Sequence, residues 1–261
     1  MICSPLLPNF TRGITENDLG PDMDKAQEIW RFAQLKVADF AVEEAEDCHI
    51  VKVAYESIAG AGLVSMTYRI YADGVIEGCE KLSDAGKLAD AAPLPRFGME
   101  FAMPGEFSNL DFYGLGPGEN YCDRFSSSLV GHYRQRVEDQ YNYHYARPQE
   151  SGTKTGLKWW KVTDDRGLGF EITSSERFSA SALPFSTETL DIKAYPLKKY
   201  WSDIYDFPTP SGRPDHQIHS LELKAMAHEN RRTLGQTWIC FDLIQQGVGG
   251  IDSWKSWPLL Q

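Results

Sequence analysis

Cysteine and histidine are scarce in this 261-residue sequence, with five Cys and six His, and neither falls in a metal-binding cluster. Cys3, Cys48, Cys79, Cys122 and Cys240 form no CxxC pair and no Cys/His zinc spacing. An odd number without short spacings gives no disulfide ladder and fits a reducing compartment or unpaired buried thiols. Long apolar runs are also missing. The N-terminal stretch MICSPLLPNF has no basic region ahead of an apolar one, so it reads as neither a signal peptide nor a membrane span. Positive charge is in deficit, 26 Lys and Arg against 37 Asp and Glu, for a net charge of −11. Such a field repels phosphate backbones and anionic lipid, which argues against nucleic acid or membrane as partners. Neutral ligands such as sugars are indifferent to it.

The common catalytic signatures are missing too: no P-loop, no dinucleotide fingerprint after a strand, no GxSxG elbow and no HExxH. GVGG (Gly247 to Gly250) has no helix pattern after it and reads as a tight turn. His216, His219 and Glu222 superficially resemble a metal pattern. On a strand, however, positions three apart point to opposite faces, so the two histidines read as loop residues. His132 and His144 flank the aromatic run HYRQRVEDQYNYHY and read as solvent-facing or hydrogen-bonded structural residues.

Aromatic side chains are plentiful: they make up 12% of the chain, with seven Trp and twelve Tyr. They suit pleated sheets, and their flat faces also suit the apolar faces of sugars. Strand-like alternation runs through most of the sequence. HIVKVAYESI (His49 to Ile58), GLVSMTYRIYADG (Gly62 to Gly74) and VIEGCEKL (Val75 to Leu82) predict consecutive strands, the last two joined at an Asp-Gly turn. LPRFGMEFAMP (Leu94 to Pro104), NLDFYGLG (Asn109 to Gly116), LELKAMAH (Leu221 to His228) and QTWICFDLIQQ (Gln236 to Gln246) predict four more. LKWWKVTDDRGLGFEIT (Leu157 to Thr173) predicts a hairpin with its turn at DDRG. The apolar spacing from Asp24 to about Phe40 predicts a helix. No Gly/Ser or Pro linker and no internal repeat divides the chain, and DFPTPSGRPDHQ (Asp206 to Gln217) reads as a surface excursion. The expectation is a single all-β domain over residues 1–261, a sandwich or barrel with one or two short helices.

Carboxylates are abundant, but their spacing identifies no pair set about 5 to 9 Å apart as glycoside hydrolysis requires. Glu100, Glu119 and Glu150 sit in the most patterned segments. A Glu beside Gly and Asn commonly braces a loop through backbone N–H groups. The densest feature is YGLGPGENYCDR (Tyr113 to Arg124), where three glycines and a proline shape a turn that Glu119, Asn120, Asp123 and Arg124 can brace. From these residues alone, structural bracing and functional presentation stand level.

That stretch resembles the GxGPxENYPDR signature of the small-chain domain in family-2 glycoside hydrolases of the β-galactosidase type. Four more resemblances follow the family's order. FTRGITENDLG (Phe10 to Gly20) is similar to FxRAPTDNDxG, and LPRFGMEF (Leu94 to Phe101) to PRIGxxF. RPQESG (Arg147 to Gly152) is similar to RPQENG, and QQGVGGIDSW (Gln245 to Trp254) to MGVGGDDSW. Together they cover essentially the whole chain. The resemblance implies a galactose-mutarotase-like supersandwich, the C-terminal fifth domain of such enzymes. It also implies that the catalytic glutamates and most metal ligands lie on a separate (β/α)8 barrel, so no catalytic residue, metal or cofactor carries over. One residue does: the family's terminal Trp lines the sugar site, and it matches Trp254. The loop from Gly20 to about Lys25 matches the part of the family's domain that approaches the barrel mouth.

The departures are Gly13-Ile14 for Ala-Pro, Glu16 for the first Asp of DND, Cys122 for Pro, and Ile251 for the first Asp of GGDDSW. The sequence stops at Gln261, where the family continues into a closing strand pair, and an edge left open there favours homo-oligomers. The function implied is that of a non-catalytic domain or small subunit that completes the pocket of a catalytic β-galactosidase chain acting on terminal β-D-galactosides such as lactose. Its expected location is the cytoplasm. The alternative is a free-standing carbohydrate-binding or aldose-mutarotase-like domain, although no stretch matches the mutarotase histidine motif; a third is a remnant without function.

Overall fold

A computed structural model of the chain describes residues 2–19, 22–31, 35–58, 62–84, 91–142, 149–190 and 235–248. The alternating runs become antiparallel strands, because only alternation places every second side chain on a buried face. Val37–Glu44 (β2), Cys48–Ile58 (β3), Gly62–Tyr71 (β4) and Ile76–Asp84 (β5) form a four-stranded meander in that order. The expected Asp-Gly turn joins β4 to β5. Gly74 takes a φ of 91°, a conformation that favours glycine, and the Val75 amide donates to Asp73 Oδ1 at 3.0 Å.

The second sheet has seven strands. Leu7–Asn9 (β1), Arg96–Pro104 (β6), Asn109–Gly116 (β7), Leu129–Arg136 (β8), Lys154–Thr163 (β9), Gly169–Leu183 (β10) and Gln236–Gln245 (β11) stand in the order β1-β6-β11-β10-β9-β7-β8. One face carries the main core, built on Phe101, Leu110, Phe112, Leu157, Trp160 and Ile239. β10 is long and bent. Its register slips between Thr173 and Phe178, and Phe170 near its start reaches Phe101 on β6 with ring centres 5.6 Å apart. The bend coils the sheet around its own apolar face.

A second core joins the two sheets. Tyr55, Val64 and Met66 on the inner face of the meander pack against Met99 on β6, with Phe10 and Trp30 between them. Trp30 lies on the last of three single-turn helices, Glu16–Leu19 (α1), Met23–Ala26 (α2) and Glu28–Arg31 (α3), and its indole donates to the Ala92 carbonyl at 2.8 Å.

The described residues therefore form an all-β protein of antiparallel sheets with short helices, as the sequence led us to expect. One element differs. Among the described residues, the helix expected from Asp24 to about Phe40 is helical only in α2 and α3, and Val37–Glu44 is strand β2. Phe40 and Val42 alternate as a strand requires, and β3 offers the segment an open edge along which Phe40 faces Val53 and Val42 faces Val51. Pairing along that edge outweighs the loose helical spacing. Strand β8 was not anticipated; its sequence LVGHYRQR has polar and aromatic side chains that mask the alternation. The strand expected at Leu221 to His228, the excursion at Asp206 to Gln217, His144, His216, His219, Glu222 and Trp254 lie outside the described residues.

Candidate functional site

The buried carboxylate of Glu150 collects donors from four distant parts of the chain. Its Oε2 accepts the Gly13 amide at 2.9 Å. Its Oε1 accepts Arg96 Nη2 at 3.2 Å, Gln245 Nε2 at 3.0 Å, Thr153 Oγ1 at 3.0 Å and the Tyr121 hydroxyl at 3.5 Å. All five patterned segments of the sequence meet here: FTRGITENDLG, LPRFGMEF, YGLGPGENYCDR, RPQESG and QQGVGG. The approach is close. A Cβ on Gly13 would stand 2.6 Å from the Glu150 backbone nitrogen, so glycine at this position permits the contact.

A second ion pair fixes the first of these segments. Arg12 bridges both oxygens of Asp18, at 2.7 and 2.9 Å, and both residues are buried. Asp18 also accepts the amide and hydroxyl of Thr15. Burial opposes the charge on Arg12, but Asp18 outweighs it and raises the guanidinium's pKa. Nη1 and Nη2 of Arg12 also reach the carbonyls of Gly13 and Gly247, each at 2.9 Å, while its Nε finds no partner among the described residues.

The contact with Gly247 belongs to a strap that runs on from β11. Gln246 donates its amide to the Pro95 carbonyl, and its side-chain oxygen accepts Gln27 Nε2 at 2.8 Å. The Val248 amide donates to Asp123 Oδ1 at 3.2 Å, and the Val248 carbonyl accepts Asn17 Nδ2 at 3.0 Å. Three segments thus pin the backbone immediately before Gly249. Asn17 comes from FTRGITENDLG and Asp123 from YGLGPGENYCDR, and both are used to hold this strap.

The three carboxylates singled out in the sequence fare differently. Glu119 braces its loop, accepting Arg124 Nη2 at 2.6 Å, the Gly152 amide at 2.8 Å and the Ser151 hydroxyl at 3.0 Å. Asn120 works beside it, donating to the Leu115 and Gly118 carbonyls. Glu100 is part-buried and accepts Asn9 Nδ2 at 3.0 Å; burial raises its pKa. Glu150 is the centre of the network. Each is held by donors in the protein, an arrangement that suits positioning rather than proton transfer.

Two participants were not anticipated. Arg96 and Asp242 are fully buried partners, with Nε and Oδ2 3.2 Å apart but out of hydrogen-bonding alignment. Burial pushes Asp242 up to about 7, against the pull of Arg96, while Arg96 is raised because Glu150 and Asp242 outweigh its own burial. The signal was present in the sequence. A charge inside an apolar strand, as Asp242 in QTWICFDL or Arg96 in PRFGMEF, has to find a partner when it is buried. At the other end of the same strand pair, Gly105, Ser108, Pro184 and Gln236 help line a cleft of about 310 Å³, which the network does not reach. Among the described residues, no three His, Cys, Asp or Glu side chains are grouped to hold a metal ion. The sequence-predicted Trp254 lies outside the described residues.

A family model described as beta galactosidase small chain matches residues 1–261. The chain is 32% identical over 258 residues to a beta-galactosidase of Priestia megaterium, covering 98% of this chain and 22% of that protein. It is 30% identical over 256 residues to a beta-galactosidase of Lactobacillus delbrueckii subsp. bulgaricus, covering 95% of this chain and 21% of that protein. A beta-galactosidase of Halalkalibacterium halodurans is also 30% identical, over 97% of this chain and 22% of its own length. The chain therefore spans about a fifth of the length of these relatives.

Proposed function

Because the chain belongs to the beta-galactosidase small-chain family, we propose that it serves a β-galactosidase as a non-catalytic domain or small subunit completing the galactoside pocket of a separate catalytic part. In this reading residues 1–261 form one galactose-mutarotase-like supersandwich, the fifth domain of a family-2 glycoside hydrolase, and the catalytic glutamates stand on a (β/α)8 barrel. The partners are that barrel and a β-D-galactoside such as lactose. Trp254 supplies an indole face for the sugar.

The observation that supports the reading best is the strap. Backbone from Gln246 to Val248 is tied to Asn17, Asp123 and Arg12, so the segment bearing Trp254 starts from a fixed point. A pocket wall supplied by one chain to another needs such pre-organisation, because ordering it on binding would cost affinity. Cytoplasmic residence is part of the proposal, supported by five cysteines that are all free. So is self-association through an open sheet edge such as β2.

Hydrolysis of a nitrophenyl β-galactoside tests the proposal. The purified chain alone is expected to give no turnover, whereas mixing it with the barrel-bearing remainder of the enzyme gives activity that neither part has alone. Trp254→Ala in the mixture is expected to raise KM. Turnover by the chain by itself, or full activity of the remainder without it, overturns the proposal.

A further inference from the structure

Strands β8, β7, β9 and β10 place two rows of side chains on the face of the large sheet opposite its core. Directly paired residues share a face, and so do residues two apart along a strand. The register aligns His132, Tyr113, Trp159 and Thr173 in one row. Arg134, Asp111, Lys161 and Glu171 align in the next. On the reverse side of the same strands, Leu110, Phe112, Trp160 and Val162 are buried in the main core. Tyr113 and Trp159 belong to none of the hydrophobic cores. They are a tyrosine and a tryptophan on neighbouring strands, half-buried, that the described hydrophobic cores do not use.

The surroundings of the two rings are polar. Lys158 Nζ lies 5.7 Å from the centre of the Tyr113 ring, and Lys161 Nζ lies 5.9 Å from that of Trp159. His132 and Trp159 stand on either side of Tyr113 in the row, and their ring centres lie 5.3 Å apart at an interplanar angle of 63°. Asp111 holds His132 Nε2 at 2.5 Å and Arg134 Nε at 3.2 Å, and Lys161 pairs with Glu171 at 2.7 Å. The second row thus carries two cations and two anions, all at the surface.

We propose that this surface is a carbohydrate subsite, in which the flat C–H face of a pyranose stacks on Tyr113 and Trp159. The charged row hydrogen-bonds its hydroxyl groups. The chemistry selects a neutral polyhydroxylated ring over other occupants. An aliphatic protein surface would strip water from four charges without replacing it, and a polyanion would meet Asp111 and Glu171. A sugar hydroxyl both donates and accepts, so it satisfies carboxylates and cations alike without a counter-charge. The exposed Lys158 tip can swing off the Tyr113 ring, and Lys161, paired with Glu171, can act as a donor. The choice of a galactoside as ligand rests on the family reading given above, but the platform does not depend on the strap or on Trp254.

Spectra of the intact chain that resolve the seven tryptophan indole N–H signals provide the test. The Trp159 signal is identified by its loss in Trp159→Phe. Lactose is expected to move that signal with half-saturation at about 1–10 mM, while galactitol, an open-chain polyol with no ring face, leaves it in place. Tyr113→Leu is expected to raise the half-saturating concentration about tenfold, with an unchanged far-UV spectrum showing that the sheet persists. Trp254→Ala is expected to leave the Trp159 shift intact. A Trp159 signal that lactose does not move overturns the platform, as does one moved equally by galactitol or one whose shift disappears in Trp254→Ala. Those results bear on the platform alone. Failure of the mixing experiment with an intact Trp159 shift overturns the pocket reading alone.

Discussion

Glu80 stands on the inner face of the four-stranded sheet, opposite Met66 in the register and between the two sheets. Neither carboxylate oxygen has a hydrogen-bond partner among the described residues. Its polar neighbours are Tyr55 and Tyr68, and the Tyr68 hydroxyl is already committed to the Leu6 carbonyl at 2.9 Å. Burial alone pushes the Glu80 carboxyl from 4.5 up to about 8. The folded protein therefore keeps this proton at pH values where the unfolded chain has released it. Folding stability falls as pH rises from near 4.5 through about 8, and the loss levels off above that. Asp242 shifts in the same direction, so the wild-type profile holds more than one such contribution. The difference between Glu80→Gln and wild type isolates this group. Urea denaturation from about pH 5 to about pH 8.5 is expected to show the variant gaining on the wild type throughout the window. Two parallel profiles would show that Glu80 finds a partner or water in solution.

At the scale of elements, alternation was a reliable guide where one face of a strand is buried and the other wet. β3, β4, β7, β9 and β11 all fall where the sequence placed them, because their apolar positions face a core. β2 was hidden for the opposite reason. It is the edge strand of the meander, and Phe40 and Val42 remain 59% and 56% exposed although they point to the meander's inner side. A strand that buries neither face leaves only a weak period-two signal. This difference can be measured. Met66→Ala, at a residue 1% exposed, is expected to cost about 2–5 kcal/mol in chemical denaturation. Phe40→Ser is expected to stay within about 0.5 kcal/mol of wild type. A large loss from Phe40→Ser would mean that something covers β2 in solution. The candidate site was legible in part. The five motifs announced themselves as patterned segments, but nothing in their spacing foretold that they meet at one carboxylate. Gly13 and Glu150 are joined through a contact between distant parts of the chain, and local periodicity carries no record of such contacts. Arg96 and Asp242 were read simply as strand positions, because their significance appears only when the face they share is found to be buried.

Across the whole molecule, Glu150 does what a disulfide does in a secreted domain: it ties sequence-distant segments together in a chain whose cysteines are all free. Its partners come from the N-terminal segment at Gly13, from β6 at Arg96, from the Tyr121 loop and from β11 at Gln245. Apolar packing can hold sheets together, but it is tolerant of small slips, whereas five directed donors on one carboxylate fix the relative positions of the segments. Removing the acceptor exposes how much depends on it. Glu150→Ala strands the Gly13 amide and leaves Arg96, among the described residues, with the poorly aligned Asp242, at an expected cost of about 3–5 kcal/mol. Glu150→Gln keeps one accepting oxygen but turns an NH2 group toward donors, for an expected loss of about 1–3 kcal/mol. Both variants are expected to lower the urea midpoint without changing the slope, and to speed amide exchange at Gly13 and Val248 together. The coupling of those two amides is the decisive readout. Gly13 touches Glu150 directly, whereas Val248 is reached only through Gln245 and the strap. Faster exchange at Gly13 alone, with an unchanged midpoint, would mean that Arg12, Asp18 and Asp123 hold the strap without help from the carboxylate.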